Sequence, residues 1–137
     1  MSTEANKQTV LKACKCINDR DFEGLLACIH DEGSWSVPYR TDRFPFAGFR
    51  DKAAFGEMLA GILGGFSEFS FEVTGITSEG DRVAVEAKSQ GVGPGTATYQ
   101  NVYNTTFEMK DGLIHTAREF FDPFEVLAYV EQLPPQA

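Results

Sequence analysis

Apolar residues recur every three or four positions in three segments of the first half of the chain, which is the spacing of an amphipathic helix. The pattern predicts a first helix over residues 5–19 and a short second helix that begins after Asp21. A third helix is predicted to begin after Asp51 and to end at the glycine pair 64–65. Between the second and third helices, the run SWSVPY predicts a short strand that its proline closes, and the residues from there to position 50 predict a loop.

The second half of the chain changes to an alternation of apolar and polar residues, which is the period of a half-buried strand. Four such segments follow one another, FSFEVTGITSE, RVAVEAKSQG, ATYQNVYNTTFEM and LIHTAREFFD, and Pro123 then opens a short terminal helix. Helices followed by antiparallel strands indicate an α+β fold, here in a single domain spanning residues 1–137. Three N-terminal helices packed on one face of a curved, mostly antiparallel sheet tend to leave a conical cavity beneath them.

The turn between the last two strands decides which side chains face that cavity. If Asp111–Gly112 form a two-residue turn, Tyr103 lies opposite Phe120. If residues 110–112 form a three-residue loop with a left-handed glycine, Tyr103 lies opposite Glu119. We favour the second register, because it leaves a mostly polar outer face. The residues that it directs inward are Met109, Phe107, Thr105, Tyr103, Asn101, Leu113, His115, Ala117, Glu119 and Phe121.

Charge and composition narrow the classes of partner. The chain has 137 residues, a net charge of −8 and 12 Lys and Arg residues spread along its length. Nucleic acid and anionic membranes are therefore not expected partners, since both require clustered positive charge. No apolar run approaches a membrane span, and the start MSTEANKQTV lacks the apolar region of a secretion signal, which predicts a cytoplasmic protein. Cys14, Cys16 and Cys28 have neither disulfide nor metal-site spacing, so no metal is expected.

Four stretches of the sequence together resemble a known family. They are GSWSVP, FAGFRDKAAF, YQNVYNTTFEMKDGLI and AREFFDP. Their order and spacing, over about residues 5–131, resemble the SnoaL-like branch of the NTF2-like superfamily, which also contains ketosteroid isomerase and limonene epoxide hydrolase. The resemblance implies an NTF2-like cone, in which a curved sheet and three helices enclose an apolar pocket. It also implies a small apolar ligand, no cofactor, and a homodimer formed through the outer face of the sheet.

The same resemblance argues against two activities. Limonene epoxide hydrolases have an acid at the position of Glu119, but their arginine and aspartate correspond here to Ala87 and Ser89. Their tyrosine and asparagine correspond to Trp35 and Val37, so the groups that activate water are absent. Ketosteroid isomerases carry a proton-shuttling aspartate where this chain has Val37, and valine transfers no proton. Polyketide cyclases of the SnoaL type, which use one acid/base residue in an apolar pocket, remain compatible.

Glu119 is the candidate catalytic residue. A carboxyl that faces an apolar cavity is desolvated, and its pKa rises towards the range that suits a general acid or base. Asn101 and Tyr103 are the candidates for orienting a substrate that bears a carbonyl or a hydroxyl group. Further substrate contacts are expected from Trp35, Val37, Ala87, Ser89, Tyr99 and Phe121.

Two hypotheses about function stay open, and a third is weaker. In the first, the protein is a cofactor-independent isomerase, cyclase or dehydratase. In the second, the same pocket only binds a ligand, and Glu119 stiffens the sheet by accepting a hydrogen bond from Tyr103 or Asn101. The residues at positions 37, 87 and 89 favour the second hypothesis. The third, a pure dimerisation module, requires a pocket filled by the protein's own side chains.

Overall fold

The computed structural model describes residues 2–135, which form four α-helices, six strands and one short 3-10 turn. The predicted terminal tail ends in Gln136 and Ala137, which lie outside the described residues, as does Met1. In chain order the elements are α1 (Thr3–Asp19), α2 (Phe22–Ala27), β1 (Ile29–Val37), β2 (Gly48–Asp51), α3 (Lys52–Gly64), β3 (Glu68–Glu79), β4 (Arg82–Val92), the 3-10 turn (Pro94–Thr96), β5 (Thr98–Lys110), β6 (Leu113–Phe121) and α4 (Pro123–Gln132).

The six strands form one curved sheet in the order β2-β1-β6-β5-β4-β3. Every neighbouring pair is antiparallel except β1 and β6, which run parallel. The predicted α+β class and the mostly antiparallel sheet are therefore confirmed. Two predictions about the first strands are wrong. The predicted loop contains the short strand β2, and β1 begins at Ile29, earlier than the run SWSVPY indicated.

Side-chain caps set where the α-helices begin. Ser2, Asp21, Asp51 and Asp122 each accept a hydrogen bond from a backbone N–H of the first turn of the helix that follows. Such a cap satisfies a donor that has no partner inside the helix. The last of these caps fixes α4 directly after β6, so that the helix starts at the end of the strand that carries Glu119.

The turn between β5 and β6 has two residues, so the predicted three-residue loop is wrong. Asp111 and Gly112 have φ values of +56° and +77°, and Lys110 pairs with Leu113. Positive φ at both central positions matches the right-handed twist of the flanking strands, which favours this turn. The predicted pairing of Tyr103 with Glu119 is therefore not found.

A β-bulge next to the turn restores the inward face that the sequence predicted. The register shifts between Glu108 and Met109, which pair with Thr116 and Ile114. One extra residue in β6 reverses the facing of every later side chain, so Glu119 and the residues two positions before and after it return to the inner face. Glu119 lies opposite Thr105, and Tyr103 lies opposite Phe121. Near the turn, Ile114 is buried in place of the predicted Leu113 and His115.

The hydrophobic core lies between the helices and the inner face of the sheet. Its largest fully buried side chains include Phe55 of α3, Phe107 of β5 and Ile114 of β6. Burying one such side chain stabilises the fold by about 1.5–3 kcal/mol. Part of this core, including Trp35, Phe55 and Phe107, also lines a cavity under the sheet.

Candidate functional site

A cavity of about 390 Å³ lies between the inner face of the sheet, α3 and α4. Ile62 of α3 and Val130 of α4 line it and are partly exposed to solvent, so the cavity opens between these two helices. Its wall is mainly apolar and aromatic. The lining residues include Trp35, Val37, Phe46, Phe55, Met58, Leu59, Phe66, Phe69, Phe71, Val85, Phe107, Phe121, Val126 and Leu133. A space of this size suits a small organic molecule.

Glu119 lines this cavity from β6. Its Oε2 accepts a hydrogen bond of 2.8 Å from the indole Nε1 of Trp35 on β1. Trp35 is itself fixed by aromatic contacts. It stacks on Phe55 with ring centroids 4.3 Å apart, and it meets Phe107 edge-on at 5.4 Å. A donor held in this way restricts the carboxylate to one orientation.

The pKa of Glu119 lies above its ordinary value. Burial is the largest cause, because it disfavours the charged carboxylate. The hydrogen bond from Trp35 acts in the opposite direction, and so does the positive charge of Arg50. The carboxyl is therefore desolvated by an apolar surrounding, while two specific groups continue to stabilise its ionised form.

Arg50, which was not among the predicted site residues, also lines the cavity. It lies on β2 directly opposite Trp35, so the two side chains share one face of the sheet. Its neighbour Phe49 points the other way and is 72% exposed. This alternation in the sequence GFRD was the available signal, but it has meaning only once the segment is known to be a strand.

Tyrosine hydroxyls form a second polar group on the wall. The Tyr103 hydroxyl lies 2.8 Å from Ser89 Oγ and 3.1 Å from the Tyr99 hydroxyl. Asn101 Nδ2 donates a hydrogen bond of 2.9 Å to the Tyr99 hydroxyl. Burial raises the pKa of Tyr103 well above its ordinary value and also raises the pKa of Tyr99. Both phenols are thus protonated at neutral pH. The two contacts among the three hydroxyls use two of their three hydrogens, so one hydrogen remains free to donate.

Three of the predicted substrate contacts lie behind the wall. Ala87, Ser89 and Asn101 are buried but do not line the cavity. Asn101 connects β5 to the start of α4, since its Nδ2 donates to the Asp122 carbonyl at 3.0 Å and its Oδ1 accepts from the Asp122 N–H at 3.0 Å. Ser89 supports Tyr103 from behind. The other predicted residues, Glu119, Tyr103, Trp35, Val37, Tyr99 and Phe121, meet around one cavity.

Cys14 and Thr105 also line the cavity and were not predicted to do so as site residues. Burial, with Glu119 and Cys28 as smaller contributors, raises the pKa of the Cys14 thiol to about 12. A thiol with this pKa is not a nucleophile at neutral pH, because the thiolate is the reactive form. Cys14, Cys16 and Cys28 are all buried and unpaired.

The described residues contain neither a candidate metal cluster nor a candidate membrane-spanning helix. Among residues 2–135, no group of three or more His, Cys, Asp or Glu side chains is arranged to hold a metal ion. Within the same range, no helix is long and apolar enough to cross a bilayer.

Comparison with known proteins identifies the family and the fold. The family model described as SnoaL-like domain matches residues 10–116. UPF0523 protein C of Dictyostelium discoideum is 27% identical over 121 residues, which cover 82% of this chain and 77% of that protein.

Two solved structures share the fold. One is TerC co-crystallised with polyporic acid, with a TM-score of 0.79, 22% identity, and coverage of 93% of this chain and 98% of that one. The other is an NTF2-like protein of unknown function from Burkholderia pseudomallei K96243, with a TM-score of 0.80, 18% identity, and coverage of 95% and 98%. The predicted NTF2-like cone is confirmed.

Proposed function

Because the chain belongs to the SnoaL-like domain family, we propose that its cavity binds a small, mostly apolar molecule that bears a carbonyl or hydroxyl group, and that Glu119 acts on this molecule as a general acid/base. The activity would be that of a cofactor-independent isomerase, cyclase or dehydratase. The observation that supports it is a single carboxyl group, oriented by the Trp35 indole, on the wall of an apolar cavity.

The proposed chemistry begins with proton abstraction from a carbon next to a substrate carbonyl. The Glu119 carboxylate takes the proton, the C–H electron pair forms a C=C bond, and the carbonyl π pair moves onto its oxygen, so that an enolate forms. Return of the proton from Glu119 to another carbon gives an isomer. Attack of the enolate carbon on a second carbonyl of the same molecule gives a ring, and Glu119 then returns its proton to the new alkoxide.

The two oxygens of the Glu119 carboxylate have different roles. Oε2 accepts the hydrogen bond from Trp35, which leaves Oε1 for the substrate. One positioned acid/base group contributes about 10²- to 10⁴-fold to a rate. The substrate is therefore one whose C–H bond is already activated towards enolisation. When Ser89 donates to Tyr103, the hydrogen of either Tyr99 or Tyr103 remains free, and that phenol orients the carbonyl oxygen of the substrate.

Ligand binding without chemistry is the second candidate function, and one observation favours it. Glu119 is the only carboxylate among the cavity-lining residues of the described chain, so proton transfer has no second acid to assist it. In this case the hydrogen bond between Trp35 and Glu119 serves to connect β1 and β6 and to present a polar contact to the ligand. The residue at position 37 is a valine on the cavity wall, which fits either function.

Solvent deuterium exchange distinguishes the two functions without knowledge of the natural substrate. The probe is β-tetralone, an apolar ketone with an activated C–H bond, incubated with the protein in deuterated buffer. If Glu119 is a base, exchange at the activated carbon exceeds the buffer rate, Glu119→Gln removes the excess, and Glu57→Gln, on the exposed surface of α3, leaves it unchanged. Binding of the probe with no exchange above the buffer rate favours the binding protein.

We also propose a homodimer formed through the outer face of the sheet. Val102 of β5 and Phe120 of β6 are diagonal neighbours on that face and are 64% and 45% exposed. Exposed apolar neighbours of this kind favour burial against a second copy. Light scattering of the wild type and of Val102→Lys tests this, since the charged variant is expected to be a monomer.

The three unpaired cysteines favour a reducing compartment such as the cytoplasm.

A further inference from the structure

Arg50 presents a positive charge to the cavity that no described residue neutralises. It forms no ion pair and no side-chain hydrogen bond with the residues at positions 2–135. Two other cations of residues 40–52 are already engaged. Lys52 donates to the Ile29 carbonyl at 2.9 Å and lies 3.2 Å from Asp31, and Arg40 is paired with Asp42 at 2.6 Å. Of the four cations in residues 40–52, Arg43 and Arg50 have no partner among the described residues, and of these two Arg50 lines the cavity.

The position of Arg50 is set by the sheet. It is paired with Trp35 across β1 and β2, and Trp35 in turn donates its indole N–H to Glu119. The cation and the carboxyl therefore flank one indole ring without forming an ion pair with each other. Among the cavity-lining residues at positions 2–135, Glu119 is the only carboxylate and Arg50 is the only guanidinium.

We propose that Arg50 recognises a carboxylate on the ligand, so that the substrate class is an apolar acid whose reactive end reaches Glu119 while its carboxylate pairs with Arg50. This inference rests on the proposed function and adds the charge of the ligand to it. The Arg50 guanidinium is half-buried in an apolar wall and has therefore lost part of its hydration. A ligand anion that pairs with it compensates for that loss. Its planar fork matches a carboxylate with two parallel hydrogen bonds.

A linked proton supports the same assignment. The Arg50 charge lowers the pKa of Glu119, in opposition to burial. A ligand carboxylate at Arg50 cancels that influence and adds a negative charge nearby, so it raises the pKa of Glu119 further. Over the pH range in which Glu119 titrates, binding of an anionic ligand is therefore coupled to proton uptake, and its affinity falls as the pH rises. A neutral ligand of the same shape lacks this coupling.

The test compares two probes that differ in charge and hardly in shape, naphthoate and naphthamide. Isothermal titration calorimetry on the wild type is expected to give naphthoate the tighter binding by at least about tenfold, the usual range for a hydrogen-bonded charged group. Arg50→Met is expected to remove this preference while naphthamide binds as before. Arg43→Met, which removes an exposed positive charge that does not line the cavity, is the matched control.

The outcomes separate this inference from the proposed function. Equal binding of both probes to the wild type overturns the role of Arg50 and leaves the cavity as a ligand site. If Arg43→Met and Arg50→Met lose naphthoate binding equally, the role of Arg50 is also overturned, because the loss of any positive charge on the protein would then explain the weaker binding. An Arg50→Met variant that loses deuterium exchange but retains the naphthoate preference overturns it too, and assigns Arg50 to the enolate. Failure of both probes and of β-tetralone to bind contradicts the proposed function itself.

Discussion

The indole N–H of Trp35 donates a 2.8 Å hydrogen bond to the carboxylate of Glu119, across 84 positions of sequence. The parallel pairing of β1 with β6 brings the two residues together, and the stack on Phe55 holds the indole in place. The contact links the architecture to the proposed chemistry, because the same hydrogen bond that joins two strands also orients the one carboxylate that the described residues place on the cavity wall.

Removing the indole N–H is expected to raise the pKa of Glu119. In Trp35→Phe an aromatic ring still packs against Phe55, but the donor that stabilises the ionised carboxylate is lost, and burial then acts with less opposition. Carbon-13 NMR titration of the Glu119 carboxyl measures the change. Phe55→Leu disturbs the stack but keeps the donor, so a smaller rise is expected. An unchanged titration in Trp35→Phe would mean that the hydrogen bond contributes little in solution.

The stability of the protein is expected to depend on pH through Glu119. The folded-state pKa is raised above the ordinary value of 4.5, so the unfolded state releases this proton more readily. The contribution of Glu119 is therefore most favourable below pH 4.5 and is lost as the pH rises through the folded pKa. Glu119→Gln keeps an acceptor for the Trp35 N–H and carries no charge, so it removes this loss.

Urea unfolding at a series of pH values measures that effect. We expect the free energy of unfolding of Glu119→Gln to increase relative to that of the wild type as the pH rises from 4.5. Above the folded-state pKa of Glu119 the difference is expected to stay constant. Glu57→Gln, on an exposed helix surface, is expected to give a flat difference. If Glu119→Gln were less stable than the wild type by the same amount at every pH, the Glu119 carboxyl would not be desolvated in the folded protein.

The inward face of the last hairpin followed from the sequence, but the pairing did not. Alternation along β5 and β6 placed Tyr103 and Glu119 on one face, which is correct. Counting residues across the turn failed, because a two-residue turn and a bulge near His115 together produce the same facing as a three-residue loop but shift the pairs by two positions. Periodicity reports facing and does not report where an extra residue is accommodated.

The site could be predicted only where the strands were recognised. Glu119 was found from the alternation along its strand, and Trp35 and Val37 were found from the resemblance of the early strand to the SnoaL-like family. Arg50 was missed because β2 has four residues, too few for an alternation to stand out in a segment with two prolines and several charges nearby. Asn101 was predicted to contact the ligand from its facing alone, but facing does not show that its amide already bonds to Asp122.

Asn101 is expected to contribute to stability through the junction between β5 and α4. Asn101→Leu keeps most of the volume but leaves the N–H and carbonyl of Asp122 without their amide partners. A loss of about 1–3 kcal/mol in the free energy of unfolding is expected, since buried polar groups without partners are costly. Asn104→Leu, at an exposed position of the same strand, is the control. Equal stability of the two variants in urea unfolding would show that the junction is dispensable.

Gly93 is expected to set the distance between the sheet and α4 at the mouth of the cavity. A Cβ built at this position overlaps the hydroxyl of Tyr129, a cavity-lining residue of α4. Gly93→Ala must therefore displace Tyr129, and it is expected both to destabilise the fold and to weaken naphthamide binding. A Cβ at Gly61, inside α3 and also on the cavity wall, meets no atom within 4 Å.

Gly61→Ala is therefore the matched control for Gly93→Ala. It is expected to stabilise the protein by about 0.5–1 kcal/mol, because alanine loses less conformational entropy than glycine in a helix. Thermal unfolding measures the change in stability, which is expected to be a loss in Gly93→Ala and a gain in Gly61→Ala. Calorimetry with naphthamide measures the effect on ligand binding in the cavity. Normal naphthamide affinity in Gly93→Ala would show that α4 yields without changing the cavity, and the contact between Gly93 and Tyr129 would then have no part in shaping the ligand site.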